Sequence, residues 1–147
     1  MFNPKNILVT SDFTSESDHA LREAAGIAKQ YKSKIYLLHV LDAVEQCAVD
    51  YCLSESEIIA EKNKLTAETS QKLDEQIKRI IPGKAVEIMK EIRFGDAVEE
   101  IINEEREKNI DLVIAAPHKS EHRWGRFMHH LTNDLVKKSI CETMVVR

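Results

Sequence analysis

Short apolar runs alternate along this chain with longer stretches of helical period, and that alternation organises everything else. Asn6 to Thr10 (NILVT) is continuously apolar between polar flanks, as expected of a strand buried on both faces. Ser15 to Tyr31 places Ala20, Leu21, Ala24, Ala25, Ala28 and Tyr31 on one helical face, with Glu16 and Asp18 in the first turn complementing the helix dipole. Lys34 to Val40 (KIYLLHV) is again strand-like, and Leu41 to Leu53 has no clear period and reads as an exposed connection.

Ser54 to Ile81 predicts a long amphipathic helix whose stripe includes Ile58, Leu65, Leu73, Ile77 and Ile80, stopped by Pro82 and Gly83. Ala85 to Arg93 sets Val86, Ile88 and Ile92 against Glu87 and Glu91, a strand with one wet face at a sheet edge. Gly95 turns the chain, Asp96 caps a helix with Glu99 three residues on, and Val98, Ile101 and Ile102 supply its buried side until about Lys108 and Asn109. Asp111 to Ala116 (DLVIAA) is a second continuously apolar strand. After a polar loop, Pro117 to Gly125, a helix carries Phe127, Leu131, Leu135 and Val136 on its inner face, and Thr143 to Val146 closes the sheet with an edge that needs a cover.

Strands separated by crossover helices, each right-handed, predict an α/β fold: a doubly wound five-stranded parallel sheet of order 3-2-1-4-5, helices on both faces. A length of 147 residues fits one domain, 1–147. The order reverses between the first and fourth strands, and ligands of such sheets bind beyond the carboxyl ends of the strands there, at Thr10 to Phe13 and Ala116 to Gly125.

Composition narrows the partners. A net charge of −4 gives no overall attraction to nucleic acid or anionic lipid. The polar start, Met1 to Asn6, and the short apolar run after it are too short for a signal-peptide core or membrane span, so a cytoplasmic location is expected. Cys47, Cys52 and Cys141 lack CxxC spacing and fit a reducing compartment; Cys47 and Cys52 are ordinary loop thiols, or a redox pair if the loop folds back.

The segments ILVTSDFTSESDHAL, KIYLLHV, DLVIAA and CETMVVR resemble the signature segments of universal stress proteins, and the resemblance covers essentially the whole chain. It implies an adenine nucleotide alpha-hydrolase-like fold, a cytoplasmic homodimer joined through the last strand (here Thr143, Met144, Val145 and Val146), and in one branch ATP binding. Asp12 and Val40 are similar by position to the residues that contact adenosine in that branch, with Thr10 and Ser11 beside them. The phosphate loop of that branch reads glycine, two residues, glycine, nine residues, glycine, then serine or threonine. Laid on this chain, its glycine positions fall on Ala116, Lys119 and His129, and its hydroxyl on His130.

All four depart from the pattern, and a side chain there occupies space that glycine leaves for backbone N–H groups to reach a phosphate. The resemblance is therefore to the branch that lacks the motif. It implies a regulatory protein acting through protein contacts, not an enzyme and without a cofactor. The alternative is an ATP- or AMP-binding switch, with slow hydrolysis, using an atypical loop.

His118, Lys119, His122, Arg123, Arg126, His129 and His130 crowd one helix start with Glu121 as the lone acid, which reads as a solvated basic loop or as an anion site. No carboxylate or thiol completes a metal-ligand spacing. Trp124 either packs on the following helix or anchors a partner. Asp12 either serves a ligand or hydrogen-bonds the loop towards Thr14 and Ser15, and His39, inside an apolar strand, reads as a satisfied core residue. No Ser-His-Asp or Cys-His arrangement and no nucleotide-transferase motif of the HIGH type is present.

Overall fold

The computed structural model describes residues 1–42, 50–117 and 125–147, with side chains from 131 onward in the last stretch. Its elements are β1 (Asn6–Thr10), α1 (Ser15–Tyr31), β2 (Lys34–Leu41), α2 (Glu55–Ile80), β3 (Glu87–Phe94), α3 (Ala97–Glu107), β4 (Leu112–Ala115), α4 (Gly125–Lys138) and β5 (Glu142–Val145). The five strands form one parallel sheet of order β3-β2-β1-β4-β5, as the alternation of apolar periods requires.

Register decides which side chains share a face. Val9 lies opposite Leu37 and Ile114, and Leu8 opposite Tyr36 and Val113. Ile7, Val9, Ile35, Leu37, Leu112 and Ile114 therefore pack on one side with Ala20, Leu21, Ala24 and Ala28 of α1 and Leu73 of α2. Leu8, Leu38, Val113 and Ala115 face the other way, against Ile101 of α3 and Leu135 of α4. The alanines of α1 have no side chain beyond Cβ, so the helix settles closely on the sheet, and all four are buried.

Helix ends follow their capping residues. Thr14 caps α1 through Ser17 N–H, and Asp96 caps α3 through Glu99 N–H at 3.0 Å. Ser54 and Glu57 form a reciprocal box at the start of α2: Ser54 N–H donates to Glu57 Oε2 at 2.7 Å, and Glu57 N–H returns to Ser54 Oγ at 3.4 Å. At 26 residues α2 is about 39 Å long. The eight-residue β3 beneath it runs only about 26 Å. The first half of α2 accordingly overhangs: Ile58 and Leu65 are half-buried while Leu73 is fully buried.

Three expectations change. Val136 is 58% exposed while Leu135 is fully buried. Neighbours on a helix point about 100° apart, so with Leu131 and Leu135 forming the inner ridge, Val136 turns outward. The wet face of β3 is partly covered, because Arg93 lies under carboxylates of α3. Asp111 does not extend β4; its Oδ2 accepts the N–H groups of Lys5 and Asn6 at 2.7 and 2.8 Å, tying the start of β1 to that of β4. Phe127 as an inner-face residue falls outside the described side chains.

Candidate functional site

β1 and β4 end side by side, and their connections leave in opposite directions, β1 to α1 and β4 to α4. Thr10 ends β1 and Ser11 and Asp12 follow it, Val40 is the penultimate residue of the neighbouring β2, and Ala116 follows β4. Thr10, Ser11, Asp12 and Ala116 thus lie at the β1/β4 switch point, with Val40 two residues beyond Leu38, the β2 partner of Thr10. Lys119 lies outside the described residues, as do the side chains of His129 and His130, whose backbone lies in α4. The same holds for His118, His122, Arg123, Trp124 and Arg126 side chains and for Cys47.

Strand alternation divides the five. Ser11 N–H continues the ladder by donating to Leu38 O at 2.9 Å, so Ser11 points to the face opposite Thr10. Its hydroxyl is buried among helices and donates to Gln76 Oε1 at 2.7 Å, while Phe13 N–H donates to Ser11 Oγ at 3.2 Å. Thr10 and Val40 remain on the α3 and α4 side, at the carboxyl end of the sheet. Ser11 supports the floor of this site from behind.

Asp12 Oδ1 accepts Thr14 N–H at 3.1 Å and also the Thr14 hydroxyl, an aspartate turn that sets the entry into α1. Between them Phe13 adopts φ 65°, a left-handed conformation unusual for a bulky residue. Its ring lies 4.7 Å from that of His39, and Lys72 Nζ of α2 stands 5.6 Å from its centroid. Packing on both sides holds Phe13 in place.

His39 Nδ1 lies 2.6 Å from Ser11 O, an acceptor that requires the proton on Nδ1. Burial pushes its pKa below the ordinary histidine value, against the Ser11 carbonyl and the charge of Asp12, which pull the other way. The neutral imidazole thus pins the β1–α1 loop, a satisfied histidine within the fold.

Gln76 is the residue that the apolar pattern of α2 did not reveal. It is 2% exposed, accepts from Ser11, and its amide donates to Asp18 Oδ1 at 2.8 Å and Ser17 Oγ at 3.3 Å. Arg79 then holds both Asp18 oxygens at 2.9 Å. Its sequence signal was positional: Gln76 sits three residues after Leu73, on the buried stripe.

Among the described residues no group of three or more histidine, cysteine, aspartate or glutamate side chains is placed to hold a metal. Cys141 is half-buried, and burial pushes its thiol up to about 11, far from a reactive thiolate at neutral pH. No helix among the described residues is long and apolar enough to cross a membrane.

A doubly wound sheet with its crevice at the β1/β4 reversal defines a class of α/β binding domains. The universal stress protein family model matches residues 3–147, and the chain belongs to that family. It is 27% identical over 155 residues to universal stress protein MJ0577 of Methanocaldococcus jannaschii, covering 97% of this chain and 94% of that protein. A solved structure of MJ0577 superposes with a TM-score of 0.79 at 26% identity, over 99% of this chain and 96% of that one. Universal stress protein UspA from Lactobacillus plantarum gives a TM-score of 0.74 at 19% identity, over the whole of both chains. The universal stress protein from Archaeoglobus fulgidus in complex with dAMP gives 0.60 at 16% identity, over 99% of this chain and 100% of that one, a likeness of fold.

Proposed function

We propose that this chain is a single-domain, cytoplasmic, homodimeric regulator of stress adaptation that acts through protein contacts rather than nucleotide turnover. The observation that carries this reading is the surface beside β5. Val136, Ile140 and Val145 are 58%, 56% and 37% exposed, and the outer edge of β5 pairs with no strand among the described residues. An open edge flanked by exposed aliphatic side chains fits a second copy added antiparallel about a two-fold axis. Charge fits too, because Glu142 opens β5 and Arg147 follows it, so an antiparallel partner brings acidic and basic ends together. Sedimentation velocity at micromolar concentration tests the reading, with a dimer expected and a strictly monomeric profile fatal to it.

Against nucleotide turnover stand Ala116, Lys119, His129 and His130 in place of the glycines and hydroxyl of the phosphate loop. A saturating ligand at a hundred times its Kd adds about 2.7 kcal/mol of stability. Mg-ATP is expected to leave the melting temperature of this protein unchanged.

The second reading is an ATP or AMP switch, favoured by the convergence of Thr10, Asp12 and Val40 at the strand ends. The dAMP complex of the Archaeoglobus fulgidus protein is a precedent for a nucleotide on this fold. A clear rise in melting temperature with either nucleotide, abolished by Asp12→Ala, selects it.

A further inference from the structure

Two adjacent glutamates of α3, Glu104 and Glu105, are 0% and 1% exposed. Carboxylates are taken out of water at a substantial penalty, so each must have a partner that repays it. Glu104 meets Arg93 of β3. Among the described residues Glu105 pairs with no cation; it receives the Ser139 hydroxyl on Oε1 and the Ile140 N–H on Oε2, both at 2.9 Å. Ser139 N–H closes the last turn of α4 on Leu135 O at 2.8 Å, and Cys141 N–H donates to Ser139 Oγ at 3.4 Å. A buried acid on one helix thus fixes the turn between α4 and β5.

That turn presents Ile140. Its side chain is 56% exposed, while its N–H is held by a fully buried carboxylate. A short connection ordinarily loses backbone freedom when a partner covers it; here the Ile140 N–H is already tied to Glu105, so less backbone freedom is left to lose.

We propose that Glu105 is a positioning residue for the self-association surface, holding Ile140 and the entry of β5 in the geometry a second copy meets. This rests on the dimer reading above. Glu105 is buried within its own protomer and acts through the turn. Glutamine can retain the arrangement: its oxygen accepts from Ile140, and its amide donates to Ser139 Oγ while the serine proton turns to Cys141 O, 3.2 Å away. Alanine can do neither.

The test is sedimentation equilibrium on the full chain, wild type beside Glu105→Gln, Glu105→Ala and Ser139→Ala, with amide hydrogen exchange on the same samples. Wild type and E105Q are expected to dimerise with dissociation constants within threefold of each other. E105A is expected to weaken dimerisation at least tenfold and to lose protection at the Ile140 amide at least tenfold, while β1 and β2 amides keep theirs. S139A, which removes only the hydroxyl, should weaken dimerisation at least threefold, and it decides the matter if E105A does not fold. Dimerisation of E105A within threefold of wild type overturns the proposal, as does its loss with the Ile140 amide still protected. A monomeric wild type overturns the proposal and the dimer reading together, whereas a dimeric wild type with unaffected variants overturns the proposal alone.

Discussion

Gln76 of α2 and Ser11 at the end of β1, sixty-five residues apart in sequence, share a buried hydrogen bond of 2.7 Å. The same amide donates to Asp18, which Arg79 holds by two contacts, so α2, α1 and the floor of the crevice meet in one polar network. Gln76→Leu strands the Ser11 hydroxyl and one Asp18 contact away from water. An unmade buried bond costs about 1–3 kcal/mol, so urea denaturation should show a loss of about 2–3 kcal/mol. A loss below about 0.5 kcal/mol, the usual scatter of surface substitutions, would remove Gln76 as an organiser of this loop.

Arg93 answers three acids, Glu100 at 3.2 Å and Glu104 and Glu107 at 2.5 Å each. Of these only Glu104 is fully buried, and its Oε1 has no hydrogen-bond partner among the described residues. Arg93→Leu should therefore cost about 3–5 kcal/mol, the usual penalty for leaving a buried charge unpaired. Arg93→Leu combined with Glu104→Leu should recover most of it. If the double variant is as unstable as the single one, the penalty lies in packing rather than in the orphaned acid.

Two groups give opposite pH dependences. The folded pKa of His39 is depressed, so the unfolded chain binds more protons, and its contribution is present above about pH 6.5 and declines as pH falls through the folded value. Glu104 is raised by burial, so its native state favours the proton and stability declines as pH rises above the ordinary carboxylate range. Melting curves of His39→Gln and of the Arg93→Leu, Glu104→Leu pair, each against wild type between about pH 4 and 8, should flatten the loss towards acid and the loss towards higher pH respectively. An unchanged slope below about pH 6.5 in the histidine variant would contradict a ring held neutral in the folded state.

Gly95 adopts φ 140°, and an added Cβ would lie 3.2 Å from Glu100 Cγ and Oε1. Gly95→Ala combines a conformation L residues rarely adopt with a displaced ligand of Arg93. A loss of about 1–3 kcal/mol in thermal or urea unfolding is expected. Gly83→Ala is the control, since it meets a positive φ of 89° with open space around it; the two variants should differ, and equal losses would show that Glu100 gives way freely.

The strands and their order were legible because each apolar run is long enough to fill one buried strand and the helices between them keep a 3.6 period. The reversal between β1 and β4 followed from the order alone. What escaped were the polar residues that helices use as core. Gln76, Glu104 and Glu105 occupy inward positions on their helices, three residues from Leu73 or three and four from Ile101, yet their chemistry reads as surface. Only the partner reveals them, and the partners are distant: Ser11, Arg93 and Ile140 come from other elements. Val136 failed for the converse reason, being apolar, one residue beyond a buried leucine, and outward. The hydroxyl of Ser11 shows the same limit at the site, where alternation sends adjacent residues to opposite faces.

Glu104 grips β3 at one margin of the sheet and Glu105 grips the approach to β5 at the other, from consecutive positions on α3. The helix therefore works like a key cut for two locks: its rotation about its own axis is indexed by both. A single residue inserted between Asp96 and Glu104 would turn each acid by about 100° and disengage both margins at once. Natural variation in α3 should consequently come as substitutions on its solvent side, while its length stays fixed.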